Sequence, residues 1–278
     1  MYKNNVNDEM AYIFDKKYIC PVCDKEFTSK QVRTGKSHFE GTEEDLRPVY
    51  TGIDTIKYDV VMCPHCGYAA VLREFNNISP RQRKNIREEI ASKYRPVVQE
   101  YDVYSYSEAI RRYKMALLTA MKKPSKLSEE AYLCLKLSWL YRGAASELSD
   151  SQTDGQHDSQ SADRTYSQSA GQTAGHEDDS DTASQYKDRL LKFKEAEDNY
   201  TGHAYEGFTA ALEKEYPPIC NMDEMTLNYL MSVLAYKCGD INSAQRYAYM
   251  IISSRTAGAS VKRKTSDLLL KIRESAAK

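Results

Sequence analysis

Four of the seven cysteines stand in two C-x-x-C pairs, Cys20-Pro-Val-Cys23 and Cys63-Pro-His-Cys66. A spacing of two residues brings both sulfurs of a pair to one point while the backbone amides turn towards them. The proline after each first cysteine fixes φ and stiffens the turn. Gly67 can take positive φ where the chain leaves the second pair, and Asp24 holds the matching place after the first. Four thiolates with no open coordination position describe a closed structural zinc site. The expectation is one structural Zn2+ held by Cys20, Cys23, Cys63 and Cys66. Such binding contributes on the order of 10–16 kcal/mol at neutral pH, enough to fold a small cysteine-rich domain. Two other chemistries use the same residues. Iron in a rubredoxin-like site takes four thiolates, and Cys63-Pro-His-Cys66 also resembles the dithiol of a redox centre, which normally opens a helix and has no twin upstream. His65, inside the second pair, is expected on the surface, pointing away from the metal.

The elements that position these cysteines are short strands and turns. Lys30–Lys36, Ile53, Ile56 and Tyr58–Met62 carry strand or turn character, and Val60–Met62 lead directly into the second pair. After Ser79-Pro80 the pattern becomes helical. Pro80 suits a first helical position behind a serine cap, Ile86, Ile90 and Tyr94 form a stripe, and Pro96 ends that helix. Further helices are expected over about 107–121, 128–147 (Leu133, Leu137, Leu140 and Tyr141 inward), 186–215, 222–237, 242–253 and 261–276. The resulting fold class is mainly α: a small zinc-ribbon-like β domain (1–75), then tetratricopeptide-like antiparallel helix pairs in two halves (76–148 and 186–278).

The halves are separated by an acidic Ser/Gln-rich insert, 149–185, expected to be disordered. It has almost no large apolar residues to offset backbone ordering, which costs roughly 1–2 kcal/mol per residue. From Glu147 to Gln185 there are nine acidic residues and one basic, a net of −8, so the rest of the −1 chain carries +7. His157 and His176 fall in this tract and are expected to be solvated. The first ten residues lack an apolar signal core and no run of about eighteen apolar residues appears. No membrane span is therefore expected. The paired free cysteines suit a reducing compartment, which points to the cytoplasm.

Basic residues concentrate in 79–126, twelve against five acidic, with Arg81, Arg83, Lys84 and Arg87 around one helix. Lys30, Arg33 and Lys36 form a second basic arm, while 15–70 as a whole is balanced at eight basic to nine acidic. Nucleic acid binding is thus only weakly supported. A phrase of a small residue, an aromatic and a second small residue recurs as Ala109-Tyr113-Ala116 and Ala204-Phe208-Ala211. A weaker copy at Ala244, Tyr247, Ala248 and Ile251 follows a Gly239-Asp240 turn. Small residues at this spacing let one helix approach the preceding one closely, as in tetratricopeptide repeats. The forty-residue interval departs from that repeat's thirty-four. Cys134, Cys220 and Cys238 are isolated and expected in buried packing. No phosphate-binding, dinucleotide, metalloprotease or nucleophile-elbow motif occurs, and His38 and His203 have no partners in sequence. These observations favour a non-catalytic protein with a protein or peptide partner over an enzyme.

The run Cys20-Pro-Val-Cys23, Phe27, Lys30-Gln-Val-Arg33-Thr-Gly-Lys36, Tyr58-Asp-Val and Cys63-Pro-His-Cys66-Gly-Tyr-Ala-Ala70 resembles an uncharacterised bacterial family, domain of unknown function 2225. The resemblance extends through the helical part and excludes the insert. It implies a paired-cysteine metal site and a repeat-like helical tail, and assigns no activity.

Overall fold

The computed structural model describes residues 9–96, 101–157 and 178–276. Three antiparallel two-stranded sheets come first. They pair β1 (Ile13–Ile19) with β2 (Glu26–Val32), β3 (Phe39–Thr42) with β4 (Pro48–Tyr50), and β5 (Val60–Met62) with β6 (Ala69–Val71). Seven α-helices follow among the described residues: α1 (Pro80–Ile86), α2 (Tyr106–Lys122), α3 (Leu127–His157), α4 (Asp178–Leu212), α5 (Glu224–Lys237), α6 (Ile241–Ser253) and α7 (Ala259–Ala276). The protein is mainly α with a small N-terminal strand region. Among the described residues no helix is long and apolar enough to cross a membrane.

Local chemistry sets the helix starts. Ser79 accepts from the Gln82 amide while the Gln82 side chain accepts from the Ser79 amide, a capping box ahead of Pro80. Ser105, Asp223 and Asp240 cap α2, α5 and α6 in the same way, each accepting from the amide three residues on. The helix begun at Pro80 does not reach Pro96 as α-helix. It loosens into a π-helical turn at Arg87–Ala91, which keeps Ile86 and Ile90 buried on one side.

The hairpin β5–β6 joins two cores. All six of its residues are buried, and alternation along each strand sends them to opposite faces. Val61 and Ala70 pack with Cys20, Cys63, Cys66, Phe27 and Phe75. Val60, Met62, Ala69 and Val71 pack with Tyr113, Leu133, Leu137 and Phe208 of the helices. The Ala69 amide donates to Thr119 Oγ1 and the Tyr113 hydroxyl to the Ile56 carbonyl, which fixes α2 against this hairpin. The expected division at residue 75 therefore lies beside a continuous core that draws on both sides.

A second link is ionic. Arg142 of α3 donates from Nε to Glu197 of α4 at 2.6 Å, and from its terminal nitrogens to Glu43 and Asp45 in the β3–β4 connection. Lys237 at the end of α5 also donates to Asp45, at 2.8 Å. Asp45 is only 1% exposed. Burial alone would raise its pKa, but the hydrogen bond and charge of Arg142, with those of Lys237, outweigh burial and lower it to about 2.

The structure corrects the sequence expectation at the edges of the insert. Residues 149–157 and 178–185 are helical, as the ends of α3 and α4; residues 158–177 lie outside the described residues. The helices are already nucleated by packing along each other, where Tyr141 stacks on Tyr200 with centroids 5.6 Å apart, and elongation then costs little per residue. The Tyr186 hydroxyl donates to Ser149 Oγ across the pair. Cys134 is buried as expected, whereas Cys220 is half-buried and Cys238 is exposed. Cys238 caps the C-terminus of α5, just before the Gly239 turn, where the helix leaves the core.

Two outcomes follow from the Arg142 cluster. Arg142→Ala leaves Asp45 buried with Lys237 alone and is expected to lower unfolding free energy by about 3 kcal/mol in urea titrations. Asp45 has a folded pKa below its unfolded value of 3.8. Its contribution is therefore present above about pH 4 and lost as pH falls towards 2. The stability gap between wild type and Asp45→Asn should shrink over that window and stay flat near neutrality.

Candidate metal centre

Each cysteine pair forms the turn of a hairpin. β1 and β2 pair out to Ile19 opposite Glu26, and β5 and β6 to Met62 opposite Ala69. The six residues between them close in the same way twice. The Cys20 amide donates to the Lys25 carbonyl at 3.0 Å and the Asp24 amide to the Cys20 carbonyl at 2.9 Å. The Cys63 amide donates to Tyr68 at 2.8 Å and the Gly67 amide to Cys63 at 3.0 Å. The chain leaves each turn in the left-handed region, at Asp24 (φ 61°) and Gly67 (φ 75°). Both positions were expected from sequence.

The two turns face each other. Sγ of Cys20 lies 3.6 Å from that of Cys66, and Sγ of Cys23 lies 3.7 Å from that of Cys63. All four sulfurs lie within 4.8 Å of one another. These separations are far longer than a disulfide bond, roughly 2.05 Å. The 3.6 and 3.7 Å separations match the edge of a tetrahedron around a metal with sulfur at about 2.3 Å, which is roughly 3.8 Å. Four cysteines placed this way can hold one metal ion and leave it no open position. Backbone amides assist: Val22 donates to Cys20 Sγ at 3.4 Å.

The electrostatics point the same way. Hydrogen bonds from Cys63 and Cys66 hold the Cys20 thiol well below the usual range, so it ionises first. As donors to that thiolate, Cys63 and Cys66 are pushed above the usual range, and burial adds to the effect. A cation at the centre would take the place of those retained protons.

An aromatic floor and a helical cover enclose the sulfurs. Phe75 packs against Tyr68, Tyr18 and Phe27 at 5.1, 5.7 and 6.0 Å between centroids, and the Tyr68 hydroxyl donates to the Phe75 carbonyl. Ile86 and Ile90 cover the other side. Arg87 donates from Nε to the Val22 carbonyl at 2.6 Å and from Nη2 to Asp24 at 3.2 Å, which pins the first turn. Sequence reading placed Arg87 only in a basic face. Its position next to Ile86 in the buried stripe was the available signal.

The remaining candidates lie elsewhere. His65 is half-buried, its Nε2 lies 3.2 Å from the Glu26 carbonyl, and it is not one of the four clustered ligand residues. His203 is exposed beside Glu206. The basic arm is largely engaged: Lys30 pairs with Asp15, and Arg33 donates to the Ile13 carbonyl and lies over Phe14. In the second basic group Lys84 pairs with Glu88 and Lys93 with Glu89.

Fold and site together define a class, a mainly helical protein assembled on an N-terminal tetracysteine centre of metal-binding type. More particularly, the chain belongs to the family described as "Uncharacterized protein conserved in bacteria (DUF2225)", whose model matches residues 13–277. It is similar to an uncharacterized protein of Borreliella burgdorferi, with 33% identity over 86 residues, which is 28% of this chain and 30% of that protein. No solved structure matches the chain.

Gly67 gives a direct test of the second turn. A Cβ there would lie 2.5 Å from the Tyr94 ring, at a φ that also disfavours side chains. Gly35 has a similar φ of 77° with nothing near its Cβ position. Gly35→Ala is expected to cost about 1 kcal/mol, the backbone penalty alone. Gly67→Ala should cost about 3 kcal/mol by adding the steric clash. Thermal and chemical denaturation of both variants measure the difference.

Proposed function

We propose that the protein is a non-catalytic, zinc-stabilised helical scaffold that binds a protein or peptide partner in the cytoplasm. The observation that carries this reading is the burial of the recurring small–aromatic–small phrase. Ala109, Tyr113 and Ala116 are buried, as are Ala204, Phe208 and Ala211, and Ala244, Tyr247, Ala248 and Ile251. Each set sits where a helix packs on its neighbours, which supports tetratricopeptide-like stacking of α2–α7. Zinc is the ion this reading assigns, because four thiolates with no open position are a usual structural zinc set and zinc holds that geometry without redox change. The engagement of Arg87, Lys84 and Lys93 with neighbouring acids favours a protein partner over nucleic acid.

Metal analysis of purified, reduced protein should return one zinc per chain in a colourless sample. A red, iron-loaded protein would instead establish the rubredoxin-like alternative. Because β5–β6 is shared by both cores, Cys66→Ser or a strong chelator should abolish helical circular dichroism in one transition. Loss of the N-terminal quarter alone would contradict the proposed role of the metal. Affinity capture should recover a stoichiometric protein partner, with no retention on heparin at physiological salt. The reverse pattern would overturn the scaffold reading in favour of a nucleic-acid role.

A further inference from the structure

Residues 241–276, which form α6, α7 and the turn between them, hold seven basic residues and two acidic, in a chain whose net charge is −1. Neighbouring acids absorb little of this excess. Among the described residues the one ion pair made here is Lys271 with Glu44, while Lys264 donates to the Thr42 hydroxyl. Lys262, Arg263 and Arg273 form no ion pair, not even with Asp267 and Glu274 of their own helix.

Residues on an α-helix turn by about 100° each, which sorts the side chains of α7. Thr265, Leu268, Leu269 and Ile272 are buried. Lys264 and Lys271, seven residues apart, make the flank that meets β3 and its connection to β4. Lys262 and Arg273 fall on the opposite flank, towards α6, where Arg273 Nη2 donates to the Tyr249 hydroxyl at 3.2 Å. Arg263 and Leu270, again seven apart, stand outward beside that flank. The Arg273–Tyr249 bond thus joins the exposed faces of two helices into a seam. Its apolar part is Tyr249, 46% exposed, and Leu270, 58% exposed, with the three cations around them.

This chemistry selects among polyanions. An anionic membrane needs an apolar helix face to enter it by roughly 5–10 Å, and the apolar stripe of α7 is buried in the core. A nucleic acid would gain only a few phosphate contacts, each weakened by physiological salt, and has no use for Leu270. Carboxylates suit the two guanidinium groups, which can hold them with paired hydrogen bonds, and an apolar side chain suits the space between Tyr249 and Leu270. We infer that the α6–α7 seam is the contact surface for an acidic peptide segment of a partner protein. One apolar side chain of the peptide seats on Tyr249 and Leu270, and its flanking carboxylates pair with Lys262, Arg263 and Arg273. The inference rests on the scaffold reading and gives its partner a chemistry.

Fluorescence anisotropy of the full-length protein at physiological salt tests it. The probes are labelled short peptides with Leu or Phe set among Asp and Glu, and the same peptides with Ser in the apolar place. An oligothymidylate and phosphatidylserine vesicles complete the set. Saturable binding is expected for a Leu or Phe peptide, with the Ser peptides, the oligothymidylate and the vesicles all much weaker. Arg263→Ala with Arg273→Ala should weaken that binding by about tenfold, and Leu270→Ser by about as much. All three positions are exposed, so helical circular dichroism should be unchanged. Four results would each overturn the inference: no saturable binding of any Leu or Phe peptide, equal binding of the Ser peptides, tighter binding of the oligothymidylate or vesicles, or binding undiminished in the folded variants. Affinity capture separates this from the scaffold reading. A protein partner held equally by wild type and the double arginine variant overturns the seam alone, whereas a wild type that captures no partner and binds no peptide overturns both.

Discussion

Four sulfurs within 4.8 Å of one another cannot all ionise in a buried site unless a cation stands among them. Two like charges about 4 Å apart repel by about 4 kcal/mol even at an effective dielectric constant near 20. A tetrathiolate contains six such pairs. A cation among them would replace that repulsion with attraction and hold the two turns together. The local backbone is prepared for this outcome. Asp24 and Gly67 already leave the turns in the left-handed region, and Arg87 already ties Val22 and Asp24 to the covering helix.

What happens at the sulfurs reaches the helices through very few residues. β5 and β6 are three residues long, and their strict alternation gives Val61 and Ala70 to the metal core and the other four residues to the helical core. A strand this short cannot shift register by one residue without turning its whole set of side chains to the wrong face. The cysteine centre, the hairpin and the helices are therefore packed as one structure. The Arg142 cluster closes the assembly from the other end, holding the β3–β4 connection between α3, α4 and α5. A buried charge network of this sort fixes one arrangement more than it adds stability, because desolvation offsets much of the attraction.

The cysteine centre was legible in sequence because its signal is local: two C-P-x-C pairs, a Gly at one exit and an Asp at the other. The helices were also legible, since their caps and leucine stripes are local, and Leu133, Leu137, Leu140, Leu268 and Ile272 are all buried. The strands were harder. In β1 only Ile13 and Tyr18 are buried, so no alternation marks it, and β3–β4 is short with a register shift near Gly41. The helical ends of α3 and α4 were missed for a related reason. Ser, Gln and Asp do not favour helix by themselves, but they follow a helix whose nucleation was settled elsewhere in the chain. Asp45 and Arg142 gave no signal, because their pairing spans nearly a hundred residues.

Helix α3 shows where local reading stops. Leu133, Leu137 and Leu140 form the stripe that any amphipathic pattern reveals. Tyr132, Lys136 and Trp139 each stand one residue earlier, and so make a second stripe about 100° round the same helix. A helix that only filled a core would carry apolar side chains on that face too, since a buried lysine needs a partner and a buried indole needs an acceptor. Lys136 has its partner in Asp59. Trp139 lacks one among the described residues. That second stripe is set by Asp59, seventy-seven residues away in the chain, and no periodicity within the helix can reveal such a partner.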